Sequence, residues 1–265
     1  MSRLDAVFAS LQAAGRKALV GYLTAGDPDF DRSLAILRAA CAAGLDVLEL
    51  GIPFSDPTAD GPVIQAASQR ARRAGMTVAR ALELTAALRA GGTATPLILF
   101  SYYNPLLRYG LERLVHDARQ AGADGFLVVD LPPEEADPFS AALAGSGLPL
   151  IRLVAPTTPP DRIARIAHGA GGFLYAISRT GVTGAGGVDG QAVRRQMESV
   201  RRQAGRLPVC LGFGIRSPSD ARSLAPFADG LVVGSALVQM IADAPDAADL
   251  PERIAGAVRA LKAAL

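Results

Sequence analysis

The chain has 265 residues, half of them apolar, which is enough for the core of one (β/α)₈ barrel or of a tight two-domain protein. Twenty-seven Lys+Arg against 25 Asp+Glu leave a formal net charge of +2, too little for a field that would gather nucleic acid or an anionic membrane surface. Only Lys17 and Lys262 are lysines, so Schiff-base chemistry has few candidates.

Residues 1–8 carry charges where a signal peptide needs an apolar run, and no span reaches the roughly 18 apolar residues of a membrane helix. The expected location is cytoplasmic. An N-terminal helix is expected ahead of the first strand. Eight β-branched or Leu-rich runs then recur, at 18–24, 46–50, 96–101, 125–130, 148–154, 172–177, 208–213 and 230–234. Between them, 31–43, 76–90, 112–120, 134–144, 160–168, 191–203 and 217–225 show helical spacing, and 251–265 closes the chain. Continuous apolar strands are covered on both faces, as in a parallel sheet with helical crossovers. The fold class is α/β: a single (β/α)₈ TIM barrel over residues 1–265, with an open doubly wound sheet as the second reading.

Cys41 and Cys210 are far apart in apolar stretches and read as core thiols, while His116 and His168 lack a second His at ligand spacing. No metal site is expected.

In a barrel, chemistry gathers at the C-terminal ends of strands. Glu49, flanked by leucines before Gly51-Ile52-Pro53, is costly to ionise there. Burial raises its pKa toward the range of a general acid or base at neutral pH, unless an arginine or helix N–H groups hold the charge. The following loop, Phe54-Ser55-Asp56-Pro57-Thr58-Ala59-Asp60-Gly61-Pro62, adds Asp56 and Asp60. Asp60 has two readings: the N-cap of a helix starting near Pro62, or a second carboxylate that stays ionised beside Glu49. Three glycine-bearing turns follow strands six, seven and eight: 178–187, Gly212-Phe213-Gly214 and Gly234-Ser235. Their backbone N–H groups read as an anion cradle built without lysine, and phosphate sites after strands seven and eight recur in such barrels. The stretch 180–190 reads as a lid.

Four segments carry a resemblance over residues 5 to 262: Gly21-Tyr22-Leu23-Thr24-Ala25-Gly26-Asp27-Pro28, Leu48-Glu49-Leu50-Gly51-Ile52-Pro53-Phe54-Ser55-Asp56-Pro57, Ala59-Asp60-Gly61-Pro62 and Ser178-Arg179-Thr180-Gly181-Val182-Thr183-Gly184. They resemble the tryptophan synthase α subunit family. The resemblance implies retro-aldol cleavage of indole-3-glycerol phosphate to indole and glyceraldehyde 3-phosphate. It implies Glu49 as acid/base and Asp60 as the group that stabilises charge on the indole nitrogen. It places Gly184, Phe213, Gly214, Gly234 and Ser235 at the phosphate, Tyr175 and Thr183 along the site, and Tyr22, Phe100, Leu127, Val129 and Leu153 around the indole. It further implies an α₂β₂ heterotetramer in which the β subunit carries pyridoxal phosphate, with no cofactor in this chain. The Asp56 loop and the Tyr102-Tyr103-Asn104-Pro105 turn are expected at the rim facing that partner. Thr58 and the Ala185-Gly186-Gly187 run depart from the family pattern. A stand-alone indole lyase, a phosphosugar isomerase or epimerase, and a non-catalytic binding role stay open beside this reading.

Overall fold

The computed structural model describes residues 2–177, 190–212 and 214–265. Eight parallel strands close into a barrel in the order β1 to β8, with β8 pairing back onto β1. The strands are β1 Ala18–Thr24, β2 Val47–Gly51, β3 Leu97–Ser101, β4 Gly125–Val128, β5 Leu150–Val154, β6 Leu174–Ile177, β7 Val209–Gly212 and β8 Gly230–Val233. Helices α1 Arg3–Ala13, α2 Phe30–Ala42, α3 Pro62–Arg73, α4 Val78–Ala90, α5 Tyr103–Tyr109 and α6 Leu111–Ala121 belong to the first half. Helices α7 Asp137–Leu143, α8 Pro160–His168, α9 Gly190–Ala204, α10 Pro218–Leu224, α11 Ser235–Asp243 and α12 Leu250–Lys262 complete the outer ring. Among the described residues, no helix is long and apolar enough to cross a membrane.

Strand period sorts the apolar residues into two cores. Outward residues such as Leu48, Leu50, Leu97, Leu99 and Leu174 join the helices in one large cluster. Inward residues Val20, Val47, Ile98, Leu127, Ile151, Phe173, Cys210 and Val232 form a second cluster inside the barrel. Helix α1 belongs to this inner cluster through Leu4, Phe8 and Leu11, so it stoppers the barrel. The Phe8 and Phe173 rings lie 5.6 Å apart. Its first turn is held by a reciprocal cap between Ser2 and Asp5. Gly172, at φ +73°, is required where the chain passes Leu4, whose Cδ2 would lie 2.4 Å from an added Cβ.

The N-terminal helix and the closed barrel agree with the sequence reading. One element differs in kind. Residues 102–105, expected as a turn, open helix α5. Pro105 lies in its first turn, where a missing N–H removes no helical hydrogen bond. Asp130 accepts the Tyr103 N–H at 2.7 Å, so the residue read as the end of β4 caps α5 instead. Cys210 lies in the inner core, Cys41 is partly exposed, and both histidines sit on exposed helix positions.

Candidate active site

The open end of the barrel holds a cavity of about 740 Å³. Tyr22, Glu49, Asp60, Phe100, Val129, Leu153, Tyr175, Gly214, Gly234 and Ser235 all line it. They converge because strand period puts residues 20 and 22, 47 and 49, 98 and 100, or 151 and 153 on the same inward face, the upper of each pair at the mouth. Leu127 is the exception: it packs within the inner cluster and does not line the cavity. Thr183, Gly184, Phe213 and the 180–189 part of the expected lid lie outside the described residues.

Glu49 sits mid-strand in β2, paired in register with Tyr22 and Ile98, and is fully buried. Neither carboxyl oxygen has a hydrogen-bond partner among the described residues. The structural alternatives read from the sequence, an arginine pair or a helix cap, are therefore not what the geometry shows. Burial alone raises the carboxyl to about 8. It is mostly protonated at neutral pH and able to give a proton.

Asp60 does not cap α3. The N-cap is Gly61, without a side-chain cap bond, and Pro62 opens the helix. The Asp60 loop is tied down by three groups the sequence did not mark. The Tyr102 hydroxyl accepts the Ala59 N–H at 2.9 Å, Gln65 Nε2 donates to the Asp60 carbonyl at 2.8 Å, and Ser68 exchanges hydrogen bonds with the Phe54 backbone. Burial raises Asp60 to about 6, and the neighbouring Tyr102 hydroxyl restrains the rise. Tyr102 is thus buried against the loop, its ring tilted against that of Phe54 at 5.3 Å, and not presented at the rim as expected. The only prior signal was its place just after β3; no local pattern tied it to a loop 43 residues away.

Tyr22 and Tyr175 line the cavity within the field of both carboxylates. Burial raises the pKa of each hydroxyl, and the charges of Glu49 and Asp60 reinforce the rise, so both remain neutral. Glycines make room for them. An added Cβ at Gly51 would lie 2.2 Å from the Tyr22 hydroxyl, and one at Gly212 would lie 2.2 Å from that of Tyr175. Gly212, read from sequence with the anion cradle, serves this clearance. The Tyr22 and Phe100 rings meet edge to face at 5.0 Å, forming an apolar wall beside Glu49. Gly214 adopts φ +79°, and Gly234 and Ser235 open α11, leaving its first N–H groups toward the cavity mouth. Arg216, on the same wall, is a cation the sequence reading missed.

A sealed barrel with a buried, unpaired carboxyl, a second carboxylate in a milder setting and a glycine-lined helix start defines a (β/α)₈ enzyme of acid–base type. The profile of the family "Tryptophan synthase alpha chain" matches residues 8–264. Tryptophan synthase alpha chains of Desulfosudis oleivorans and Phenylobacterium zucineum are 50% and 49% identical, each over 100% of this chain and over 99% and 95% of their own length. The crystal structure of the Legionella pneumophila subunit alpha superposes with a TM-score of 0.93 at 38% identity, covering 100% of this chain and 98% of that one. A Mycobacterium tuberculosis tryptophan synthase structure superposes at 0.88 with 36% identity, covering 100% and 99%. The chain belongs to the tryptophan synthase alpha chain family. It is a carbon–carbon lyase acting on indole-3-glycerol phosphate. Nothing in these comparisons supports a phosphosugar isomerase or epimerase.

Proposed function

We propose that Glu49 and Asp60 divide the cleavage of indole-3-glycerol phosphate between them, one moving protons and the other holding charge. The observation that carries this is the unpaired, buried Glu49 carboxyl raised to about 8, beside Asp60 at about 6. At pH 7 most of Glu49 is protonated and most of Asp60 is ionised, as the chemistry requires.

Protonated Glu49 gives its proton to indole C3, and the ring nitrogen takes up positive charge. Ionised Asp60 accepts the indole N–H and stabilises that charge. Glu49, now a carboxylate, removes the proton from the glycerol hydroxyl next to the ring. The electron pair of that O–H bond forms the aldehyde carbonyl, the C–C bond breaks, and its electrons neutralise the ring nitrogen. The products are indole and glyceraldehyde 3-phosphate, with Glu49 protonated again.

Tyr22, Phe100, Val129 and Leu153 supply the apolar walls for the indole, and Tyr175 lines the site with the carboxylates. Gly214, Gly234 and Ser235 supply backbone N–H groups and a hydroxyl for the phosphate, with Gly184 and Phe213 assigned there by resemblance alone. The indole is passed to a β subunit in an α₂β₂ assembly, and pyridoxal phosphate belongs to that subunit. The assembly works in the cytoplasm. Glu49→Gln tests the division of roles: it should still bind a non-cleavable indole-alkyl phosphate while cleavage falls about 10²-fold or more. Asp60→Asn should cost a similar factor in cleavage, and full cleavage by either variant would remove its residue from the mechanism.

A further inference from the structure

The cavity does not end at the barrel mouth. It continues past β5 into a side chamber between the short helical turn Pro133–Glu135 and α8. Leu131, Pro133, Leu150 and Ile166 wall this chamber. The apolar setting contains one buried charge, Arg152, whose side chain leaves the outward face of β5 beside Leu150. The residue is only 7% exposed.

Arg152 donates from Nε to the Gly169 carbonyl at 3.2 Å, at the C-terminal end of α8. Its two terminal nitrogens make no protein hydrogen bond and no ion pair among the described residues, and both stay open to solvent. Glu134, the carboxylate whose charge acts on Arg152, is held elsewhere: Arg162 binds it at 2.9 and 3.1 Å and Arg165 at 3.3 Å. A largely buried guanidinium whose four terminal N–H donors have only solvent to meet is well placed to take an anionic acceptor. Its planar fork matches a carboxylate, and the walls around it match an apolar body.

We infer that this side chamber binds a small amphipathic carboxylate, with its carboxylate on the terminal nitrogens of Arg152 and its apolar body among Leu131, Pro133, Leu150 and Ile166. Phosphate fits less well, because a single buried cation cannot offset the dehydration of a dianion. Entry is open. The chamber's outer side is spanned by the Arg162–Glu134 pair, two half-exposed side chains whose bond is cheap to break.

The test is calorimetric titration of the full chain with phenylacetate, phenylacetamide and inorganic phosphate. Wild type should bind phenylacetate saturably and phenylacetamide at least tenfold more weakly. Arg152→Met should weaken phenylacetate binding at least tenfold while leaving indole release unchanged in the absence of the probe. Ile166→Trp, which fills the chamber without touching the guanidinium, should do the same, and it carries the test if Arg152→Met fails to fold. Glu49→Gln should bind phenylacetate as wild type does. The inference is overturned by no saturable binding of phenylacetate, by equal binding of the acid and the amide, or by phosphate binding more tightly than phenylacetate. Phenylacetate binding that survives Ile166→Trp and is displaced by a non-cleavable indole-alkyl phosphate would overturn it too, since the probe would then sit in the barrel mouth.

Discussion

At the residue scale, the two carboxylates set a pH window. On the proposed division of roles, the competent free enzyme has Asp60 ionised, above about 6, and Glu49 protonated, below about 8, so kcat/KM for cleavage should be bell-shaped between those values. Tyr102→Phe removes the hydroxyl that restrains Asp60, so the acid limb should move to higher pH; an unmoved limb would detach Tyr102 from Asp60. Glu49 also leaves a mark on stability. Its folded pKa lies above the ordinary 4.5, so the folded state holds a proton that the unfolded state releases. Its cost is absent below about pH 4.5, grows up to about 8 and is constant above. The stability of Glu49→Gln relative to wild type should therefore rise between those pH values, by an amount on the order of a few kcal/mol in denaturant titrations. Glu49 was legible from sequence because a carboxylate among strand leucines has few environments open to it. Tyr102 was not, because its hydrogen bonds are made across space to a loop in another βα unit.

Single elements hold the site in place. Helix α3 carries the Asp60 loop, and Arg70 on α3 grips the buried Asp27 in the β1–α2 loop through two 2.8 Å hydrogen bonds. Arg70→Met leaves that buried carboxylate unpaired and should cost roughly 3–5 kcal/mol of stability, read as a lower urea midpoint at an unchanged slope. Gly51→Ala puts a methyl group into the Tyr22 hydroxyl, so the ring that faces Phe100 must move. Its expected signature is a cost of about 1–3 kcal/mol together with a raised KM, and a variant with unchanged KM would mean Tyr22 does not shape the pocket. The eight strands and most helices were readable from period, to within a few residues at their ends, whereas α3 was foreseen only through its start near Pro62 and α11 only as the element following the Gly234-Ser235 turn. Helix α5 was missed because the Tyr-Tyr-Asn-Pro run has turn composition, and its N-terminal cap comes from Asp130 in the turn after β4. Gly212 was read as part of a phosphate turn because sequence cannot distinguish a glycine that meets a ligand from one that makes way for a tyrosine.

Across the whole molecule, closure of the sheet turns eight separate strand ends into one site. Alternation along each strand determines which residues reach it. That is why Tyr22, Glu49, Phe100, Leu153 and Tyr175, spread over more than 150 residues of sequence, share one cavity. Leu127 shows the limit of transfer by resemblance: its inward direction is right, but it packs within the inner core and does not line the cavity. The most direct test of the account is indole release from indole-3-glycerol phosphate by the purified chain and by Glu49→Gln, each alone and with a β subunit. The account predicts slow release by the chain alone, faster release with the partner, and loss of release in Glu49→Gln under both conditions. Undiminished release by Glu49→Gln, or none by the unsubstituted chain in either setting, would contradict it.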